Sequence, residues 1–290
     1  MPNAYISGTG FYVPPKIVTN NELSHFMNTT DEWIRERTGI QTRHFAEKGV
    51  GPSDLAIPAV EKALEAAGLS VDDIDFIIFA TSTPDYYIPG SGCLLQEKMG
   101  FNEIGALDIR VQCSGFVYGI SIAEQYIKTG AFNNILLVGA EVQSTAMDLS
   151  NKGRDTAILF GDGAGAVIIQ STKENRGILS THMHTDGKYL KELWVEAPAS
   201  REGYPRLLPK HLAQGKQYLQ MNGKEVFRHA VKRFYEVIHE GLTANNLRVD
   251  DIDILIPHQA NLRITKMIQK KLDLGDDKVY SNIEKYGNTT

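Results

Sequence analysis

Cys113 lies between the strand-like run Ala-Leu-Asp-Ile-Arg-Val (106–111) and the residues Ser114-Gly115-Phe116, which open an amphipathic segment. Phe116, Ile120, Ala123 and Ile127 recur there at helical spacing, and Gly130 closes the segment. A thiol between a strand and a helix N-terminus feels the positive end of the helix macrodipole, which favours the thiolate. The backbone N–H groups at that point can also hold developing negative charge. The setting is that of a nucleophile. Cys93, inside Ser-Gly-Cys-Leu-Leu, lacks it and reads as a buried, inert thiol.

His258 ends the apolar run 254–257 within Ile-Pro-His-Gln-Ala-Asn, where α/β sheets face their ligand crevice. Asn288 sits in Tyr-Gly-Asn-Thr-Thr, after another short β-prone stretch. Taken singly, the His reads as a hydrogen-bonded core residue and the Asn as a turn residue. Combined with Cys113 they offer a nucleophile and two neutral donors, the set needed to hold an enolate oxygen during thioester condensation. His258 is then expected to be neutral and to act as an electrophile rather than mainly as a base.

The elements that must position these residues come in two copies. Val-Asp-Asp-Ile-Asp-Phe-Ile-Ile starts at Val71, and Val-Asp-Asp-Ile-Asp-Ile-Leu-Ile starts 178 positions later at Val249. The helical stretch Ala59–Leu69 overlies Val237–Leu247 at the same offset. Each copy is a helix, an acidic turn and an apolar β-rich run. The chain is therefore expected to be α/β, with two similar halves over residues 1–172 and 173–290, each packed around a mainly parallel sheet. Strands are predicted at 4–10, 76–81, 106–111, 135–140, 164–170, 178–184, 254–257 and 279–281. Helices are predicted at 31–38, 55–67, 91–99, 115–129, 223–243 and 261–272. The Pro- and Gly-rich stretch 197–215 reads as a loop or flap.

Composition narrows the class. The 290 residues are 42% hydrophobic and 22% charged, with a net charge of −5, which disfavours bulk nucleic-acid binding. No apolar run approaches the ~20 residues of a membrane helix, and Met1–Gly10 has no signal-peptide character. Two cysteines are too few for a disulfide framework or a Cys-rich zinc site, so a cytoplasmic protein with reduced thiols and no metal is expected. The glycine-rich run Phe160–Ala166 lacks both the Walker Lys and the dinucleotide-binding spacing, and reads as a tight turn under the site.

Six segments resemble the β-ketoacyl-[acyl-carrier-protein] synthase III family, in order and spacing. They are Thr29-Thr-Asp-Glu-Trp-Ile, Arg37-Thr-Gly-Ile, Cys113-Ser-Gly-Phe, Phe160-Gly-Asp-Gly-Ala-Gly-Ala, Pro257-His-Gln-Ala-Asn-Leu-Arg and Tyr286-Gly-Asn-Thr-Thr. The resemblance implies a thiolase-like five-layer αβαβα fold and a homodimer. It implies an acyltransferase that loads an acyl primer from acyl-CoA onto a Cys, then condenses it with malonyl-carrier protein and releases CO2. The family's Cys, His and Asn fall on Cys113, His258 and Asn288, and a second Asn that orders water or substrate falls on Asn261. Trp33 and Arg154 match the pair that stacks the CoA adenine, Arg37 matches a residue at the CoA phosphate end, and Phe227 and Gly223 fall in the substrate-binding region. Acyl-CoA is thus expected as substrate, with no permanently bound cofactor.

Arg228 and Lys232 lie one helical turn apart, as do Arg263, Lys266 and Lys270. The ordinary reading is a solvated helix face. The resemblance instead implies docking of an acidic carrier protein, with Arg263 matching a docking Arg. Two positions depart from the family. Ile88 stands where well-known bacterial members have a Phe at the floor of the partner's acyl pocket, which would admit a longer or branched primer. The chain ends at Thr290, just before position 291, the repeat counterpart of Cys113, so the sequence is expected to be a piece of a longer protein. A synthase III-like enzyme of secondary metabolism or of long-chain acyl-CoA condensation shares the same motifs. A papain-like hydrolase shares the order Cys, His, Asn but not the repeat.

Overall fold

The computed structural model describes residues 1–290, except for the side chain of Glu202. The strands are β1 (Asn3–Tyr12), β2 (Ile17–Thr19), β3 (Thr42–His44), β4 (Phe76–Ala80), β5 (Gly105–Ile109), β6 (Asn134–Glu141), β7 (Gly163–Thr172), β8 (Leu193–Trp194) and β9 (Gln220–Met221). The helices are α1 (Asn20–Leu23), α2 (Asp31–Thr38), α3 (Pro52–Ala67), α4 (Ser91–Met99), α5 (Gly115–Lys128), α6 (Arg154–Ala157), α7 (Pro209–Ala213), α8 (Gly223–Ala244), α9 (Leu262–Leu272) and α10 (Ile283–Tyr286).

Five strands form one sheet in the order β1-β7-β6-β4-β5. The β4 pairings with β5 and β6 are parallel, whereas β7 runs antiparallel to both β6 and β1. The sheet is therefore mixed, not mainly parallel. A parallel neighbour needs a crossover that carries the chain back to the starting edge. Residues 142–162 make no such crossover, so β7 starts at the edge where β6 ends and runs back along it.

Helix α3 covers one sheet face, packing Leu55, Ala56, Ala59, Val60 and Ala63 on Phe79, Leu136, Val138 and Ile168. Helix α5 covers the other, where Ala123 and Ile127 join Ile78, Ile135, Leu137 and Ile169. Each such Leu, Ile, Val or Phe contributes roughly 1.5–3 kcal/mol by leaving water. The buried stripe of α5 differs from the sequence expectation at its start. Phe116 is exposed and Gly119 is buried, because a Cβ on Gly119 would come within 2.3 Å of Leu137 Cδ1. The helix lies close to the sheet only because that residue has no side chain.

Beyond α5 lies residues 178–184, predicted as a strand. It forms no ladder among the described residues, yet its side chains alternate. Thr181 and Thr185 reach α5 through Ser121 and Tyr118, while His182 and His184 bond Glu240 of α8. The layers thus run α3/α4, sheet, α5, extended chain, α8/α9. The predicted strands at 254–257 and 279–281 reduce to one parallel bridge, Leu255 with Val279. With no neighbouring strand to cover them, Ile254 and Ile256 stay exposed, at 53% and 69%.

The internal repeat holds at atomic detail. Leu69 N–H donates to Leu64 O, and Leu247 N–H donates to Leu242 O at the same offset. The left-handed residue after each helix is Gly68 (φ +67°) in one copy and Asn246 (φ +56°) in the other, the two residue types that tolerate it best. Asp73 then caps Ser70 N and Asp251 caps Arg248 N, both at 2.8 Å.

One buried cation ties the N-terminal corner to this frame. Arg43 in β3 is fully buried and donates to Val18 O, Asn20 Oδ1 and Ile158 O. Burial lowers its pKa to about 10, which leaves it charged at neutral pH. Asn20 passes the contact on to Asp31 Oδ1 and Ile40 O, so the N-terminus of α2 is held from below. Arg43→Ala orphans these buried acceptors and is expected to cost about 3 kcal/mol in urea unfolding. Removing the exposed Arg35, which pairs with Asp31 across one helical turn, should cost less than about 1 kcal/mol. Equal effects would show that Arg43 is not a structural tie.

Candidate active site

The parallel strands β4, β5 and β6 end at one edge of the sheet, and Cys113 and Glu141 lie at that edge. After β5 the chain turns through Gln112, a non-glycine residue at φ +47°, into a short 3-10 turn (Gln112–Ser114) that carries Cys113 to the start of α5. Cys113 is half-buried and its thiol is free. Glu141 ends β6 beside it. The carboxylate accepts from Ser82 N (2.8 Å), Ser82 Oγ (3.0 Å) and Thr83 Oγ1 (2.5 Å), in the segment that follows β4.

Burial and the neighbouring Glu141 charge push the Cys113 thiol up to about 11. The expected thiolate is therefore corrected. A helix terminus favours the anion, but loss of solvent and a nearby carboxylate outweigh it, so the resting group is the thiol. Cys93 is corrected in the opposite sense, being exposed rather than buried, with its thiol directed at Gly90 O.

Asn288 is 4% exposed and clamped by its backbone. Its N–H donates to Leu159 O (2.8 Å), and its carbonyl accepts from Gly161 N (3.0 Å), so the turn 159–161 lies directly against it. Asp162, fully buried, anchors that turn by accepting from Ala46 N and from Ser144 N and Oγ. The side-chain oxygen of Asn288 accepts from Thr290 N, which leaves its Nδ2 as the donor end; Nδ2 has no partner among the described residues.

His258 lies between the Leu255 bridge and α9. Gln259 secures its loop, donating to Tyr280 O and accepting from Ser281 Oγ and Asn282 N in the segment that leads to Asn288. His258 Nε2 is enclosed and has no hydrogen-bond partner. Burial lowers the pKa of the ring to about 4, so the imidazole is neutral across the physiological range. No hydrogen bond joins Cys113, His258 and Asn288 directly among the described residues.

A second cluster lies along α2. Arg154 Cζ is 4.5 Å from the Trp33 ring centroid and Arg37 Cζ is 4.3 Å from it. The expected slot for a flat base between Trp33 and Arg154 is thus closed, since Arg154 stacks on the indole and is held by Asn28 O and Asp155. A cavity of about 580 Å³ lies next to Arg154, between residues 148–156 and 212–221. Asn261 caps α9 through Arg263 N and donates to Arg37 O, so its amide joins α9 to α2. Gly223 and Phe227 occupy the first turns of α8, and Arg263 reaches over the Phe227 ring at 5.6 Å.

Sequence profiles of 3-oxoacyl-[acyl-carrier-protein] synthase III match residues 107–187, and those of its C-terminal region match 242–290. The β-ketoacyl-[acyl-carrier-protein] synthase III of Xylella fastidiosa is 44% identical over 289 residues, covering 99% of this chain and 86% of that protein. The chain belongs to the β-ketoacyl-[acyl-carrier-protein] synthase III family. Crystal structures of synthase III from Aquifex aeolicus (TM-score 0.89, 37% identity) and Pseudomonas aeruginosa (TM-score 0.88, 34% identity) each cover 99% of this chain. They cover 86% and 85% of their own chains, and the shared architecture is the thiolase fold.

On this synthase III scaffold the basic residues divide. Arg228 pairs with Glu225, Lys232 with Glu236 and Lys266 with Asp276, so three charges of the expected stripe are offset within the chain. Arg263 and Lys270 have no acidic partner among the described residues. Ile88 is 80% exposed, beside the exposed Tyr86 and Tyr87. The sequence reading missed Glu141, Gln143, Asp162 and Arg43. For Glu141 the signal was a charge closing the apolar run 135–140; Arg43 and Gln143 lie in locally polar sequence that carries none.

The electrostatics can be checked directly. In a Cys93→Ser background, alkylation of Cys113 by iodoacetamide should rise about tenfold per pH unit from 7 to 9. Glu141→Gln removes the opposing charge and should raise the rate at each pH. A plateau near pH 8 would mean that the helix terminus, not burial, governs the thiol.

Proposed function

We propose that the chain is a condensing acyltransferase of type II fatty acid synthesis. Cys113 carries the acyl group, and His258 with Asn288 holds the enolate. The nucleophile then comes from the half over residues 1–172 and both donors from the half over 173–290. What supports the reading is a free thiol at the start of α5 together with two neutral, unengaged groups, His258 Nε2 and Asn288 Nδ2.

In the first half-reaction the Cys113 sulfur attacks the acyl-CoA carbonyl. The C–S bond to CoA breaks, and the thiol proton leaves with CoA-SH. In the second, a malonyl thioester loses CO2, and the electron pair of the broken bond forms an enolate. A neutral His258 in its Nε2–H tautomer and the Asn288 amide donate to that oxygen. The enolate carbon attacks the acyl carbonyl, a carbon–carbon bond forms, and the Cys113 sulfur leaves and takes up a proton. A dry site favours this chemistry, because hydrogen bonds to a developing anion gain strength where water is excluded.

Trp33, Arg37 and Arg154 suit the nucleotide end of CoA once the Arg154 guanidinium gives up the indole face to a purine. Asn261, bonded to Arg37 O, with Gly223 and Phe227 at the start of α8, suits the rest of the CoA chain. Arg263 and Lys270, with charge unspent, suit an acidic malonyl-carrier protein, with Arg228, Lys232 and Lys266 contributing less. The free edge of β5 and the exposed Tyr86, Tyr87 and Ile88 suit a homodimer in which Ile88 enters the partner's acyl pocket. Two free thiols suit the reducing cytoplasm.

Intact-mass analysis after incubation with acetyl-CoA should show an acetyl adduct that Cys113→Ala lacks; an adduct on Cys93 would overturn the assignment. His258→Ala and Asn288→Ala should each slow decarboxylation of malonyl-carrier protein by ~10²–10³ while leaving loading intact. Arg263→Glu should weaken condensation with the carrier at low salt and spare acyl transfer from acyl-CoA. Equal damage to both half-reactions would return Arg263 to a structural role.

A further inference from the structure

The donor end of Asn288 is set by a single hydrogen bond, and that bond leads back to the sheet. Thr290 N donates to Asn288 Oδ1 at 2.9 Å, which fixes the oxygen and so turns Nδ2 the other way. Thr290 is held in turn, its Oγ1 accepting from Gln143 Nε2 at 2.8 Å. Gln143 is 5% exposed, and its Nε2 also lies 3.1 Å from Ser82 Oγ and 3.3 Å from Glu141 Oε2.

The backbone on either side of Gln143 has little freedom. Val142 N donates to Thr83 Oγ1 (2.9 Å), and Ser144 N donates to Asp162 Oδ1 (2.8 Å). Glu141, Gln143, Thr290 and Asn288 therefore form a continuous hydrogen-bonded line from the sheet edge to the Asn amide. The same carboxylate raises the pKa of Cys113. The amide and the thiol are thus referred to one anchor, though no hydrogen bond joins them.

We propose that Gln143 is a positioning residue for the condensation step, holding Thr290 so that Asn288 presents its N–H rather than its carbonyl to the reacting oxygen. This rests on the enolate-holding role proposed for Asn288. An Asn amide with its Oδ1 released can rotate about χ2, and the wrong end would place a carbonyl oxygen against a developing anion. Loading of Cys113 makes no use of that donor.

Gln143→Leu keeps the bulk and removes the donor. It should lower kcat for decarboxylative condensation roughly 10–100-fold, with KM for malonyl-carrier protein and the rate of Cys113 acylation unchanged. Thr290→Val should show the same loss, Thr290→Ser should restore the wild-type rate, and the double variant should be no worse than either single one. A normal condensation rate in Gln143→Leu or Thr290→Val, equal loss in both half-reactions, or additive losses would each overturn the proposal. A crystal structure of Gln143→Leu gives a readout that does not depend on the reaction. An Asn288 amide still donated to by Thr290 N and unmoved would overturn the positioning role. Wild-type protein that loads acyl groups but never decarboxylates malonyl-carrier protein would instead overturn the functional reading.

Discussion

The carboxylate of Glu141 is the interaction on which the site depends. It sits at 5% exposure at the end of β6, where an unpaired charge would be very costly. Donors from Ser82, Thr83 and Gln143 satisfy it, and their number and direction keep it bound in place. Burial still raises its pKa, so the hydrogen bonds offset desolvation only in part. The return is geometric. One group fixes the chain leaving β4, the chain leaving β6 and, through Gln143, the turn that carries Asn288.

That anchor also favours the uncharged form of Cys113, and burial does the same for His258. A thiolate beside a buried carboxylate would meet like-charge repulsion, and an imidazolium without a partner would be desolvated. Both equilibria lie toward the uncharged form, the thiol by burial and Glu141, the imidazole by burial alone. In the reaction proposed above, negative charge forms only transiently, and neutral N–H donors are the groups suited to hold it. Arg43 and Asp162 serve the same end from beneath, one holding the backbone at Ile158 and the other the segments at Ala46 and Ser144. Between them the turn 159–161 has little freedom, and Asn288 is hydrogen-bonded to both of its ends.

The layered build follows from where apolar faces meet. Helix α5 buries one side on the sheet and turns the other toward the extended chain 178–184, which is held from beyond by Glu240 on α8. Side chains alternate along that chain as in a strand, although no neighbouring backbone completes a ladder. Alternation is a property of extended backbone, whereas a ladder requires a second chain at the right distance.

Local patterning decided much of this protein. Helices at 31–38 and 91–99 match their predicted bounds because the caps are written locally: Thr30 accepts from Trp33 N, and Gly39 and Gly100 adopt the left-handed conformation that ends each helix. The repeat, the strand–Cys–helix order and the turn at Phe160 are likewise short-range patterns. What only the tertiary structure decided depends on groups far apart in sequence. The antiparallel course of β7, the exposure of Phe116 and Cys93, and the closed Trp33–Arg154 stack all depend on packing between distant segments. So does the protonation of Cys113: its strand-to-helix position argues for a thiolate, but solvent loss and Glu141, 28 positions away, set its charge. Chain order can place a nucleophile at a helix start, but electrostatics act through space, and only the folded chain fixes those distances.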